Sequence, residues 1–339
     1  MRTAPLKIVA VGGGTGLAAL LRGLRSYAVA GEPGQAAAVA VTAVVTVTDD
    51  GGSSGRLRRE FDVLPPGDIR NCLVALSEDE ALMARLFQYR FPAGRGLKGH
   101  SFGNLFLTAL TNITGDFAQA VRVSSEVLAI AGRIFPSTAA NVSLGAELED
   151  GSRVLGETKI SKSRVPIRRV FLVPDEAPPL AETLEAIASA DLITLGPGSL
   201  YTSVIPNLLV KGVTEAILRS PATKAYVVNL MWQPGETIGY TAADHVEAIR
   251  RHSAAGVVDT VIVNTGRFEP SLLRRYARQR ARPVEADFSR LRQMGLRIVA
   301  GDFLEQAEKI RHSPQALARA VVELAGRARR LRRQRLAAR

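Results

Sequence analysis

Two adjacent carboxylates, Asp49 and Asp50, close the stretch VTVTDD and are followed at once by GGSSG and by Arg56, Arg58 and Arg59. Acids at a strand tip beside a glycine/serine loop suit two chemistries. One is a hydrogen bond to a ribose hydroxyl, as at the second strand of a dinucleotide fold. The other is a Mg²⁺ ion held by one or two carboxylates and bridged to phosphate. Neighbours on extended backbone point to opposite faces, so one Asp is expected in the site and the other capping or pairing. Asp50 is taken as the catalytic acid, should there be a reaction, and Asp50 with Asp49 as the metal candidates. In the loop, Ser53, Ser54 and Arg56 are expected to face an anion. Arg56 would grip phosphate oxygens bidentately, with Arg58 or Arg59 as substitutes.

A second anion-holding feature is Gly12-Gly13-Gly14-Thr15-Gly16. It follows the apolar run from Ile8 to Val11 and precedes Leu17, Leu20, Leu21 and Leu24 at helical spacing. Glycines allow close backbone approach to an anion, and a helix N-terminus favours negative charge, so Gly13, Gly14 and Thr15 are candidate ligand residues. Leu17 stands where the dinucleotide fingerprint needs its third glycine, and no Gly-Lys-Ser/Thr follows, which excludes a P-loop. The segment GPGSLYTS after ADLITL supplies another such turn, with Gly196, Gly198, Ser199 and Tyr201 as candidates. Two phosphate-type turns and an acid pair point to a nucleotide carrying a diphosphate. Polar helix entrances, GDIRN with Asp68 and Asn71 and GHSFGN with His100 and Asn104, add candidates, as does Asn229 after the strand KAYVV.

Other readings are weaker. G-x-S-x-G occurs at residues 51–55 and 99–103, but the second copy follows a loop and the first has two acids that repel a serine alkoxide. His100, His245, His252 and His312 show no metal-binding i,i+4 pair, so packing or surface roles are expected of His245, His252 and His312.

These residues need a frame. Short apolar, β-branched runs alternating with helical patterns predict a mostly parallel, three-layer Rossmann-like α/β fold with its site at the carboxyl ends of the strands. Alternation around Asp150-Gly151 predicts a small antiparallel insertion over about residues 135–173. A single domain is expected over residues 1–326, followed by a basic tail at 327–339. The net charge of +12 is concentrated at the carboxyl end: residues 271–339 hold 18 Lys and Arg against 6 acids. The tail RARRLRRQRLAAR reads as a solvated, dispensable arginine-rich helix end. It has no aromatic residues for base stacking, so nucleic acid is not an expected partner. The 46% hydrophobic content argues against disorder, and the longest apolar run, residues 36–47, is too short to span a bilayer. The opening MRTAPLKIVAVGGG shows no signal-peptide core, and the lone Cys72 excludes an intrachain disulfide and a thiolate metal cluster. A cytoplasmic protein is the expectation.

The series GGGTGL, TDDGGSSGRLR, LPPGDIRNCLVAL, LFQYRF, GHSFGNL, GPGSLYTSVIPNLLV and QPGETIGYTAADH closely resembles the bacterial gluconeogenesis-factor family, from about residue 7 to 322. That family is related to the phospholactate transferases that build a deazaflavin coenzyme. The resemblance implies a CofD-like fold, UDP-N-acetylglucosamine as ligand, and a role in cell shape and wall-precursor supply during gluconeogenic growth. It implies a homo-oligomer and a cytoplasmic wall-precursor enzyme, glucosamine-6-phosphate synthase, as partner. In the transferases an acid at the place of Asp50 contacts the acceptor near metal and phosphates, and the turn matching GPGSLYTS belongs to the nucleotide site. In the gluconeogenesis-factor branch the matching Tyr276 and Arg311 are tied to UDP-sugar binding. DGGSSGRLR after the acid departs from the transferases, so the resemblance favours a non-catalytic regulator. The alternative it leaves is a Mg²⁺-dependent nucleotidyl or phosphoryl transferase.

Overall fold

The short apolar runs pair into one sheet whose central strands are buried on both faces. The computed structural model describes residues 4–28, 38–78 and 80–338. Residues 1–3 of the opening segment, residues 36 and 37 of the long apolar run and residue 339 of the tail lie outside these. The first strands are β1 (Leu6–Gly12), β2 (Val39–Val45) and β3 (Arg133–Pro136). A small group follows, β4 (Ser143–Leu148), β5 (Arg153–Leu155) and β6 (Ile167–Val173). Then come β7 (Leu192–Leu195), β8 (Thr223–Val227), β9 (Thr260–Asn264) and β10 (Arg297–Gly301), and a last pair, β11 (Leu304–Gln306) and β12 (Ile310–His312).

Seven strands form the main sheet in the order β10-β9-β8-β7-β1-β2-β3, every neighbouring pair parallel. The helices Gly14–Ala28, Gly67–Leu76 and Pro314–Ala337 pack together, the last also on β1 and β7. The helices Ala181–Ser189 and Ile205–Leu209 also meet β1. This is the expected Rossmann-like α/β architecture. Strand order reverses beside β1, with β2 and β3 to one side and β7 to β10 to the other. The carboxyl ends of β1 and β7 therefore flank the crevice in which such sheets bind ligands.

The expected insertion is a three-stranded antiparallel sheet, β5-β4-β6, turning at Asp150-Gly151, where Gly151 takes φ +82°. It begins later than expected, since Phe135 and Pro136 belong to β3 in the main sheet. The β11–β12 hairpin is a feature the sequence did not suggest; it carries Arg311 opposite Glu305. Among the described residues no helix is long and apolar enough to cross a membrane.

The reading of the tail needs correction. The helix Pro314–Ala337 runs unbroken past residue 326, and its arginines are partly structural. Arg329 and Arg332 both pair with Asp191, which is almost fully buried ahead of β7, and Arg329 also donates to the carbonyls of Ala4 and Pro5. Burial opposes ionisation of Asp191, but the Arg329 bond, the Lys7 N–H and the two guanidiniums hold its pKa below the usual carboxylate value. Apolar periodicity cannot reveal a helix end anchored by charge. The approach of this helix to Gly14–Ala28 is just as specific, because a Cβ on Gly23 would lie 2.0 Å from the Pro314 carbonyl oxygen. Truncation before Arg327 leaves a buried carboxylate unpaired and should lower unfolding free energy by about 3–5 kcal/mol in denaturant melts. Truncation after Arg332 retains both pairs and should change stability by about 0.5 kcal/mol or less.

Candidate functional site

At the switch point two turns of main chain press directly on one another. Gly196 N–H donates to the Val11 carbonyl at 2.8 Å, and Asn207 Nδ2 donates to the Gly12 carbonyl at 3.2 Å. A Cβ on Gly16 would sit 2.7 Å from the Pro197 carbonyl oxygen, and one on Gly13 would sit 2.5 Å from Asp68 Oδ2. Gly14 takes φ +65°, the left-handed region that favours glycine. The glycines thus serve close backbone packing as well as any anion. After the second turn the chain winds widely, with Val204 N–H reaching back five residues to the Ser199 carbonyl at 3.0 Å.

A cavity of about 520 Å³ opens over these turns, lined by Gly13, Gly14, Thr15, Gly198 and Ser199. Asn229, Tyr276 and Arg311 complete it from the far side. Tyr276 packs with Leu230, Met231 and Ile310, and its hydroxyl accepts the Ile310 N–H at 3.2 Å, which places β12 and hence Arg311. The segment 230–233 adds Trp232 and Gln233, whose Nε2 donates to Ser199 Oγ at 2.6 Å. Candidates separated by more than two hundred residues in sequence thus share one wall.

An adjoining cavity of about 240 Å³ lies under the GDIRN and GHSFGN entrances, with Asp49, Ser53, Ser54, Asp68, Asn71 and Asn104 on its walls. Arg70 braces it, donating to Ser101 Oγ at 2.7 Å, Asn104 Oδ1 at 3.0 Å and Asn71 Oδ1 at 3.0 Å. Asn104 Nδ2 in turn donates to Ser54 Oγ at 3.2 Å. His100 is buried with Nδ1 3.0 Å from Ser53 Oγ; burial, then Arg56, lowers its pKa, so the neutral ring positions the serine loop.

The acid pair behaves as extended backbone requires, with the roles exchanged. Asp49 faces the cavity, its Oδ1 accepting the Gly51 N–H at 2.8 Å. Asp50 turns to the insertion, where its Oδ1 accepts from Thr158 N at 2.9 Å and Thr158 Oγ1 at 2.6 Å. Two further candidates fall away from the walls. Arg56 donates to the Lys98 carbonyl at 3.0 Å, and Arg58 to the Val142 carbonyl at 2.7 Å, because their helix turns those side chains toward neighbouring loops. Tyr201 is fully buried, its hydroxyl 2.8 Å from that of Tyr240. Gly196 shapes the turn from beneath, at φ +78°. His245 and His252 pack, bonding helix carbonyls through Nδ1, whereas His312, whose Nε2 donates to the Val228 carbonyl, lines the large cavity.

Three acids, Glu236 buried and Asp68 and Glu157 half-buried, give the site its electrostatics. Burial, then the charge of Asp49, raises Asp68 to about 7 against the pull of the Gly14 N–H. Glu236 is raised to about 7 by burial, although it accepts the Tyr201 N–H at 3.2 Å. Glu157, first residue of the helix Glu157–Ile160, is raised to about 9 by burial and then by Asp49, Asp68 and Glu236. Among the described residues no group of three or more His, Cys, Asp or Glu side chains is arranged to hold a metal ion. Asp49 and Asp68 alone suit an ion that keeps most of its waters and leans on ligand phosphate.

Comparison with known proteins fixes the family. The family model described as 2-phospho-L-lactate transferase CofD matches residues 8–304. A gluconeogenesis factor of Halalkalibacterium halodurans is 49% identical over 93% of this chain and 95% of its own length. One from Bacillus subtilis is 49% identical over 94% of this chain and 98% of its own. The chain belongs to the gluconeogenesis-factor family. A crystal structure of a Bacillus halodurans protein, 48% identical, superposes with a TM-score of 0.89 over 94% of this chain and 100% of the other.

In this family member several site residues escaped notice in the sequence. Arg70 sits inside the quoted GDIRN, and Glu236 inside QPGET, beside Trp232 and Gln233. The only tryptophan of the chain, next to a Gln-Pro-Gly turn, was the available signal. Glu157 had none. An acid whose folded pKa exceeds its unfolded value binds extra protons when folded, so it stabilises most at low pH and loses that contribution as pH rises through the folded pKa. The contribution of these acids should therefore fall between about pH 4 and 7, opposed by the buried histidines whose pKa is lowered, and Asp68→Asn should remove up to about 1.4 kcal/mol per pH unit of the acids' share in melts across the range.

Proposed function

We propose that this protein is a regulatory UDP-sugar-binding protein whose ligand, UDP-N-acetylglucosamine, occupies the cavity above the two glycine turns. The observation that carries the reading is the convergence there of both turns with Tyr276 and Arg311. Backbone N–H groups of the turns suit a diphosphate, which the Arg311 fork can grip bidentately. Tyr276, Met231 and Trp232 offer apolar surface to uracil, and Asn229 and Gln233 offer amides to sugar hydroxyls. Mg²⁺ fits Asp49 and Asp68, where it would neutralise diphosphate charge. In this reading the protein couples wall-precursor supply and cell shape to UDP-sugar level in the cytoplasm, acting as a homo-oligomer on glucosamine-6-phosphate synthase.

A second reading, a Mg²⁺-dependent nucleotidyl or phosphoryl transferase, is favoured by the transferase family model over residues 8–304 and by Asp49 and Asp68 on one cavity. The two differ in the fate of the ligand. A sensor returns UDP-N-acetylglucosamine intact after prolonged incubation with Mg²⁺, whereas a transferase converts it or a nucleoside triphosphate, as mass spectrometry would register.

Arg311 is exposed and can be changed without opening the core. Arg311→Gln should weaken calorimetrically measured UDP-N-acetylglucosamine binding by about 1–3 kcal/mol with an unchanged melting temperature. Tyr276→Ala should weaken it comparably and also loosen the β11–β12 hairpin. Wild-type affinity in both variants rejects this site, and no binding by the wild type rejects the ligand.

A further inference from the structure

A third cavity, of about 350 Å³, meets the large one at Thr15. It shares Thr15, Arg311 and His312 with the large cavity, and Arg70, Asn71 and Arg90 with the acidic one. Among the described residues Arg22, Arg70, Arg90 and Arg311 line it, with one carboxylate, that of Glu305. His312 adds no charge, because burial lowers its pKa to about 4.

Arg70 is the informative member. Its side chain is nine-tenths buried, its bonds run to three neutral side chains, and its Nε has no hydrogen-bond partner. The charges of Asp68 and Asp49 offset part of the cost of burying this cation, but burial still lowers its pKa and its Nη bonds go to neutral partners. Basic walls of low dielectric constant focus a field that attracts anions. The remaining wall is polar, since Asn71 and Gln88 bring amides and Glu305 an acceptor for hydroxyls. The volume exceeds what a bare phosphate needs.

We propose that this compartment binds the phosphate monoester of a small sugar, a ligand separate from the one above the glycine turns. Arg22, Arg70 and Arg90 hold the dianionic phosphate, and Asn71, Gln88 and Glu305 hold the hydroxyls. Arg311, on the boundary, senses both ligands. The two-ligand part of this inference rests on the UDP-sugar reading, whereas the monoester site itself does not.

Glucose 6-phosphate is titrated first into the ligand-free protein, then into protein saturated with UDP-N-acetylglucosamine, with inorganic phosphate as control. Binding is expected in both cases, tighter than that of inorganic phosphate. Arg22→Gln and Arg90→Gln should each weaken the ester by about tenfold or more. Arg22 lines this cavity alone, so Arg22→Gln should leave UDP-sugar affinity within about twofold. Absence of ester binding at about 10 mM overturns the proposal, as does wild-type ester affinity in both variants. Displacement of the ester by UDP-N-acetylglucosamine overturns its separateness, and equal affinity for inorganic phosphate overturns the sugar assignment. Failure of UDP-sugar binding leaves the first titration to decide the monoester site.

Discussion

The contact on which the rest depends is that of bare main chain on bare main chain between β1 and β7. Gly16 lies so close to the Pro197 carbonyl that a methyl group cannot enter, and the Val11 and Gly12 carbonyls take their donors from the facing segment. That contact sets the height of both turns above the sheet and the direction in which the helix Gly14–Ala28 departs. Each cavity described above has part of this turn, or of what packs on it, in its wall. The glycines are therefore constrained twice, by the packing beneath and by the cleft above.

Around that contact the charges are segregated. Acids gather under the tip of β2, where Asp49 raises the proton affinity of Asp68 and both raise that of Glu157, and guanidiniums gather beyond Thr15. Arg70 stands between the two groups and keeps them apart through neutral side chains. The Asp50–Thr158 bonds tie the antiparallel insertion to the same strand tip, so the insertion is held in register with the acidic cavity.

Much of this was legible in the sequence, and what was missed has physical reasons. Parallel strands buried on both faces leave short apolar runs, which is why β1, β2, β7, β8 and β9 stood out. Glycine turns are local, so Gly13, Gly14 and Ser199 were within reach. Side-chain direction is not local. Neither Arg56 turning to Lys98 nor Tyr201 sinking into the core leaves a trace in residue spacing. The exchange of Asp49 and Asp50 is the one-residue ambiguity of any strand end. Tyr276 and Arg311 came from family resemblance, and only the fold explains their meeting, through a three-residue hairpin strand too short to read as periodicity. Glu157 acquires its character from burial and from acids far away in the chain.

The pairing of Gly23 with Pro314 reaches beyond the finished molecule. The apolar face formed by Leu17, Leu20, Leu21 and Leu24 is made about 300 residues before Leu317, Ala318 and Val321 of its partner helix. At about 5–20 residues per second, the nascent helix waits on the order of 15–60 s for this cover. The part of this face that packs on Pro314–Ala337 is therefore buried late, after the sheet that the same helix rests on has been made.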